Sequence, residues 1–255
     1  MEYALRTESY YLRQKQVLLV QADLADFLVE YYLTLKEYGV TMEPAHNEQL
    51  KQLLGALAVH LTSRPPDESV AWTLLMHAEK PYSLFVTGSV AEAALVGQAL
   101  YQDIRHSDVN VFNQQTSRPG HPTHKSAVRC ESSEIKEMVE SYYAQSEQLP
   151  LKITFHPDSD LVSALVAMPD YDAEWFLQNE PRSVGERLSD FDVRHLKSCA
   201  FRFACSCSLE KLLPFFQAIP AEQLAELYGR DEVLLVNCPR CGRTFEVERS
   251  RLENK

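Results

Sequence analysis

Four cysteines carry the most definite chemistry in this sequence. They stand as Cys205-Ser206-Cys207 and Cys238-Pro239-Arg240-Cys241, with 30 residues between the pairs. Each pair offers two sulfurs from one short turn, and the segment between them can fold back so that all four meet on one tetrahedral ion. Zinc favours four thiolates in a closed cage, and paired cysteines at such spacing read as a zinc site. The second pair has the form of a zinc knuckle, followed by Gly242, which permits a positive φ that most residues disfavour. In the first pair one residue separates the ligands. That demands a bent segment, because alternate side chains of a regular strand share a face but stay well apart. Thiolate ligands also bring redox chemistry, since oxidation removes the electrons that hold the metal. Two roles are therefore open, a structural staple and a redox switch. A segment of about 50 residues builds only a marginal core, and metal binding contributes about 10–16 kcal/mol in small zinc peptides. A module that leans on its metal must loosen when the metal leaves.

The remaining chemistry-bearing residues form no second constellation. Cys130 ends an apolar run and reads as a core thiol. Cys199 lies six residues before the first ligand and reads as an uninvolved thiol, although exchange into a disulfide on oxidation is open to it. The histidines are scattered; His195 is the nearest to the cysteines, and His121 and His124 fall in a polar turn. There is no glycine-rich nucleotide loop, no nucleophile–base arrangement and no pair of carboxylates placed for acid–base work. No enzymatic activity is expected.

Bulk properties narrow the class. The chain has 255 residues, 45% of them apolar, enough for a large domain and a small one. Asp and Glu number 36 against 25 Lys and Arg, a net charge of −11, which argues against broad contact with nucleic acid or an anionic membrane. No run of about 18 apolar residues occurs, so no spanning helix is expected. The start, Met1-Glu2-Tyr3-Ala4-Leu5-Arg6, lacks the pattern of an export signal. With cysteines in close pairs, the expected compartment is a reducing cytoplasm.

Helical periodicity is clearest over Asp23–Tyr38, where Leu24, Phe27, Leu28, Tyr31 and Leu35 share a face and Gly39 suits the end. A second helix is expected over Asn47–Leu61. Short strands follow at Ala71–Met76, Ser83–Thr87, Val109–Asn113 and Lys125–Cys130, the last two pairing as a long hairpin across the polar turn Gln114–His124. A helix over Glu134–Gln145 and strands Leu151–Phe155 and Ser163–Met168 complete an α+β domain over residues 1–170, in which sheet packs with helices. Residues 171–202 read as a helical linker, with a helix over Ser183–Ser198. Residues 203–255 form a small zinc-binding domain with helices Leu209–Gln217 and Ala221–Tyr228 and a strand Glu232–Val236.

With these residues laid out, the chain resembles the bacterial 33 kDa heat-shock protein family, redox-regulated holdase chaperones. The family's Cys-x-Cys pair, its spacer of about thirty residues and its Cys-x-x-Cys pair match Cys205, Cys207, Cys238 and Cys241, with Ser208 and Gly242 following them. A second match is Glu140–Pro150, which is similar to the family's Tyr/Phe-x-x-Ser-Glu-Gln-Leu-Pro segment; Lys80–Leu84 through Gly97 fits more loosely. The large domain departs from the pattern. Arg13-Gln14 stands where the family has Arg-Gly, and Leu161–Leu165 replaces a glycine-rich stretch.

The resemblance implies one zinc ion per chain held by Cys205, Cys207, Cys238 and Cys241, and a reduced form without chaperone activity. It implies that peroxide or hypochlorous acid forms the disulfides Cys205–Cys207 and Cys238–Cys241 and expels the metal. The small domain and linker then unfold, and unfolding client proteins bind without ATP. It also implies homodimerisation on oxidation. The competing expectation is a structural zinc ribbon that binds nucleic acid or a protein partner, suggested by Arg240, Arg243, Arg249, Arg251 and Lys255, with Glu246, Glu248 and Glu253 offsetting them.

Overall fold

The protein is described by a computed structural model covering residues 3–253 except Asp103 and His106. Met1, Glu2 and Lys255, which entered the readings of the leader and the basic tail, lie outside the described residues.

One ten-stranded sheet organises the chain. In chain order its strands are β1 (Leu5–Leu12), β2 (Val17–Asp23), β3 (Ser69–Met76), β4 (Tyr82–Ser89), β5 (Ala94–Leu100), β6 (Asn110–Ser117), β7 (His124–Cys130), β8 (Leu151–Phe155), β9 (Leu161–Ala167) and β10 (Val193–Phe203). They lie in the order β7-β6-β3-β4-β5-β10-β1-β2-β9-β8. The sheet is two antiparallel halves joined at one seam. Within each half the ladders are long, but β5 meets β10 in parallel only at Ala94–Arg202 and Leu95–Phe203. The expected hairpin is present, with Asn113 opposite Ala127.

Helices α1 (Ala25–Tyr38) and α2 (Pro44–Ser63) cover the inner face. The stripe read from sequence, Phe27, Leu28, Tyr31 and Leu35, is the buried face of α1, and Gly39 closes the helix at φ 65°. Every residue of α2 from Leu53 to Thr62 is buried, because that helix packs against strands of both halves. Helix α3 (Ile135–Tyr142) runs into a π-helical turn, Tyr143–Glu147, where the sequence reading continued an α-helix to Gln145. The wider turn aims two tyrosines and a carboxylate inward. Tyr142 donates to Glu147, Arg64 pairs with Glu147 at 3.1 Å, and Tyr143 Oη lies 2.7 Å from His60 Nδ1.

The linker expectation is corrected. Residues 171–202 are helical only at first, as α4 (Ala173–Gln178) and α5 (Pro181–Glu186). These pack Phe176 and Val184 onto Leu19 and Leu165, on the face of the sheet opposite α2. The helix expected over Ser183–Ser198 ends at Glu186, apart from a short 3-10 turn at Leu188–Asp190, and β10 follows as a central strand. Strands β1, β2 and β5 were also unforeseen. Among the described residues no helix is long and apolar enough to cross a membrane.

Past β10 the chain forms α6 (Leu209–Gln217), α7 (Ala221–Tyr228), the hairpin β11 (Val233–Asn237) and β12 (Thr244–Glu248), and α8 (Ser250–Glu253). Its own core has three buried members, Tyr228, Val247 and Leu252.

His60 makes the large domain acid-sensitive. Burial pushes its imidazole down to about 4, against the opposing pull of Glu147. The unfolded chain takes up this proton at its ordinary value while the folded chain does not. Stability is therefore complete above about pH 6.5 and declines as pH falls toward 4, by up to about 3 kcal/mol. Burial raises the Glu147 carboxyl, but Tyr142, His60 and Arg64 outweigh it and hold the group below its usual range; its contribution is lost in a lower window. Urea denaturation at pH 7 and pH 5 should show a clear fall in midpoint, and His60→Gln should flatten that dependence whatever its stability at pH 7.

Candidate metal centre

The central sheet delivers the first cysteine pair. Aromatic packing holds the end of β10, with Phe203 meeting Tyr31 at 5.0 Å and Phe27 at 5.8 Å between ring centroids. The Glu30 carboxylate accepts the Phe203 backbone N–H at 3.1 Å and pairs with Arg202. Beyond Phe203 the chain leaves the sheet, as the spacing of Cys205 and Cys207 demands. Ser208 then caps α6, and the Lys211 ammonium donates to the Ser206 carbonyl at 2.6 Å.

The β11–β12 hairpin turn delivers the second pair. The Gly242 N–H donates to the Cys238 carbonyl at 3.0 Å, and the Cys238 N–H donates to the Arg243 carbonyl at 2.8 Å. The turn requires φ +76° at Gly242, a conformation glycine adopts without strain. It rests on the large domain. Gln98 Nε2 donates to the Cys238 carbonyl at 3.0 Å, and the Arg243 guanidinium lies over the rings of Tyr38 and Phe245.

All four sulfurs lie within 4.8 Å of one another. Cys205 and Cys238 are 3.9 Å apart and Cys207 and Cys241 3.6 Å apart, sulfur to sulfur. A tetrahedral ion with metal–sulfur bonds of about 2.3 Å requires edges of about 3.8 Å, so the donor set fits zinc in number, chemistry and spacing. Cys238 and Cys241 are buried, and Cys205 and Cys207 half-buried. As bare thiols the four cannot ionise together. Hydrogen bonds from Cys205 and Cys241 hold Cys238 well below the ordinary thiol range, while burial and Cys205 push Cys207 up to about 12. A divalent cation is the charge that lets all four be thiolates at once.

The other sequence candidates lie apart from this cluster. Cys130 is buried in β7, and burial raises its thiol. Cys199 is half-buried in β10 opposite Thr7. His195 is bonded to Glu8 at 2.7 Å, and His121 and His124 are exposed. Sequence reasoning missed Glu30 and Gln98, which seat the two cysteine segments. Neither carries a local pattern that marks it.

Gly242 couples the turn to the large domain. A Cβ there would stand 2.6 Å from Val40 Cγ2 and 3.0 Å from Gln98 Oε1, at a positive φ. Gly242→Ala should lower the thermal midpoint of the reduced protein and weaken metal retention against a chelator by about 1–3 kcal/mol, the usual range for such backbone strain, read by competition with a colorimetric zinc dye.

Comparisons with known proteins agree with this architecture. Residues 157–248 match the family model described as Hsp33 protein. The 33 kDa chaperonin of Shewanella woodyi is 24% identical over 238 residues, covering 80% of this chain and 82% of the relative. That of Caldanaerobacter subterraneus subsp. tengcongensis is 23% identical over 154 residues, covering 49% of this chain and 52% of the relative. The crystal structure of the 33 kDa chaperonin of Thermotoga maritima superposes with a TM-score of 0.74, at 15% identity, over 98% of this chain and 96% of that one. The Hsp33 model matches the C-terminal part of this chain, and the fold of the Thermotoga maritima chaperonin is shared along nearly its full length.

Proposed function

We propose that this protein is an ATP-independent holdase chaperone of the cytoplasm, silent when reduced and zinc-bound, and switched on by oxidation. The observation that carries the reading is the convergence of Cys205, Cys207, Cys238 and Cys241 within 4.8 Å, in a small domain whose own core has, among the described residues, three buried members. Bound zinc would supply charge neutralisation for four thiolates and close the small domain by joining its two cysteine segments.

The chain's own residues supply the switch. Two thiolates of one pair give up two electrons to hydrogen peroxide, a sulfur–sulfur bond forms, and with two protons the peroxide becomes two waters. The pairing that follows the family is Cys205–Cys207 and Cys238–Cys241. Each disulfide removes two of the four donors. The β11–β12 turn then rests on the large domain through the Gln98 bond, the Arg243 stack and the packing of Cys238, Cys241 and Phe245 against the main core. Its release uncovers Tyr38 and Val40 and loosens a domain that already shows Phe215 and Leu235 to solvent, at 72% and 66% exposure. Apolar surface of this kind captures unfolding proteins and favours pairing of oxidised copies.

Two arginines of the tail weigh against the zinc-ribbon alternative in which basic residues contact nucleic acid. Arg243 is stacked on Tyr38 and Phe245, and Arg249 lies over Tyr228.

Light scattering of a heat-unfolded client, with zinc release read in the same cuvette, tests the switch. Reduced protein should leave aggregation unchanged. Peroxide-treated protein should suppress it in step with stoichiometric zinc release. Equal behaviour of the two forms would overturn the reading.

A further inference from the structure

The two halves of the sheet are treated differently on their outer faces. Helices α4 and α5 cover β2 and β9, whereas the outer face of β7-β6-β3-β4-β5 carries no helix among the described residues. Two cavities of about 460 and 450 Å³ lie along this face, and Thr87 and Arg240 line both, so they form one trough. The first part has a floor of hydroxyl, amide and small side chains, among them Thr73, Thr87 and Asn113, with one ring, Phe85. Its cations are Lys125 and Arg240, both exposed, and no carboxylate lines it. In a chain of net charge −11 this is a local inversion of sign. Glu92 lines the second part, next to Cys205 and Ser206.

We infer that this trough is a docking site for an extended acidic segment of another protein, bound by the reduced form. Charge complementarity selects the occupant. In the first part of the trough two cations with no carboxylate beside them attract carboxylates, while the overall negative charge repels a long polyanion such as a nucleic acid. Spacing sets its form. From β7, which bears Lys125, to β4, which bears Thr87, a residue that lines both parts of the trough with Arg240, is three strand intervals, about 14 Å at about 4.8 Å each. Carboxylates four residues apart on an extended chain share a face and are about 13 Å apart. The full crossing from β7 to β5 is about 19 Å, the length of about six extended residues. Glu92 favours a neutral or basic residue at the far end. Arg240 stands between Cys238 and Cys241, so its position over the trough depends on the integrity of the knuckle turn. This site therefore lies outside the oxidised-state client binding proposed above.

The test uses the full reduced, zinc-loaded chain and a fluorescein-labelled, β-prone peptide of about eight Thr and Val residues, with two glutamates four positions apart. Anisotropy titration should show binding about tenfold tighter than for the same peptide with glutamines, weakening as salt rises. Arg240→Ala and Lys125→Ala should each weaken binding about three- to fivefold, the range of an exposed ion pair, at unchanged zinc content. Lys125 is remote from the cysteines, so its variant remains informative if Arg240→Ala loses metal. Equal affinity for the glutamine peptide, or indifference to both substitutions, would overturn the inference. So would displacement of the peptide by single-stranded RNA at lower concentration, which would mark a nucleic-acid groove. Peptide-sensitive self-association in sedimentation velocity would instead mark an interface between copies and overturn it equally.

Discussion

Four sulfurs confined within 4.8 Å are a constraint that this chain cannot satisfy alone. Each thiolate is a full negative charge, and burial of Cys238 and Cys241 removes the water that would screen them. The cluster is therefore a set of thiols sharing protons or a set of thiolates around a cation, and the two differ in what they hold together. Thiols at these distances give weak hydrogen bonds. A metal gives four strong bonds to two segments that have no covalent neighbourhood in sequence.

The two segments do not start from equal positions. Cys205 follows directly from a central strand, seated by the Phe27, Tyr31 and Glu30 contacts at Phe203. It is part of the large domain in all but sequence numbering. Cys238 and Cys241 sit on a hairpin turn that packs, with Phe245, against the main core, and the rest of the small domain has, among the described residues, a core of three buried side chains, Tyr228, Val247 and Leu252. Any change at the sulfurs is resisted on the first side by the strand pairing of the sheet and on the second only by side-chain packing and the Gln98 bond. The asymmetry follows from topology: β10 is an interior strand, and β11–β12 is a separate two-stranded sheet, a unit that is marginal without support.

The cysteine pairs, the two long helices and the β6–β7 hairpin were legible in the sequence because each leaves a local mark: ligand spacing, a period of three to four, or alternation around a polar turn. β10 was not. Its two faces are unequally covered, and its ladder with β1 slips between Ser9 and Tyr10, so the alternation of apolar residues breaks near Leu196. What remained, Val184, Leu188, Phe191 and Leu196, mimicked a helical face. β5 was hidden by Gly97, whose missing side chain is required by the Phe85 carbonyl 2.6 Å from where a Cβ would stand. The π-helical turn at Tyr143–Glu147 was read as plain helix because its cause is tertiary: Arg64, Gln114 and Tyr142 converge on Glu147. The seats of the metal centre, Glu30 and Gln98, were invisible for the same reason. A glutamate on a helix and a glutamine on a strand become positioning residues only when the fold brings a distant backbone to them.

The seam between the half-sheets lies beneath the sulfur cluster. β5 and β10 share only two registered residue pairs, so the backbone at this junction is less tied by strand pairing than anywhere else in the sheet. The structure compensates with side chains: Glu30 takes the Phe203 N–H, Lys197 reaches the Arg64 carbonyl at 2.7 Å, and Gln98 binds the knuckle. The cysteine turn thus closes over the weakest line of the sheet, and its contacts with Tyr38, Val40 and Gln98 bridge from α1 to β5 across it. A tie at this line stabilises both the small domain and the junction beneath it. Loss of the tie is felt first where strand pairing is thinnest, so the large domain is no inert platform for the sulfur cluster.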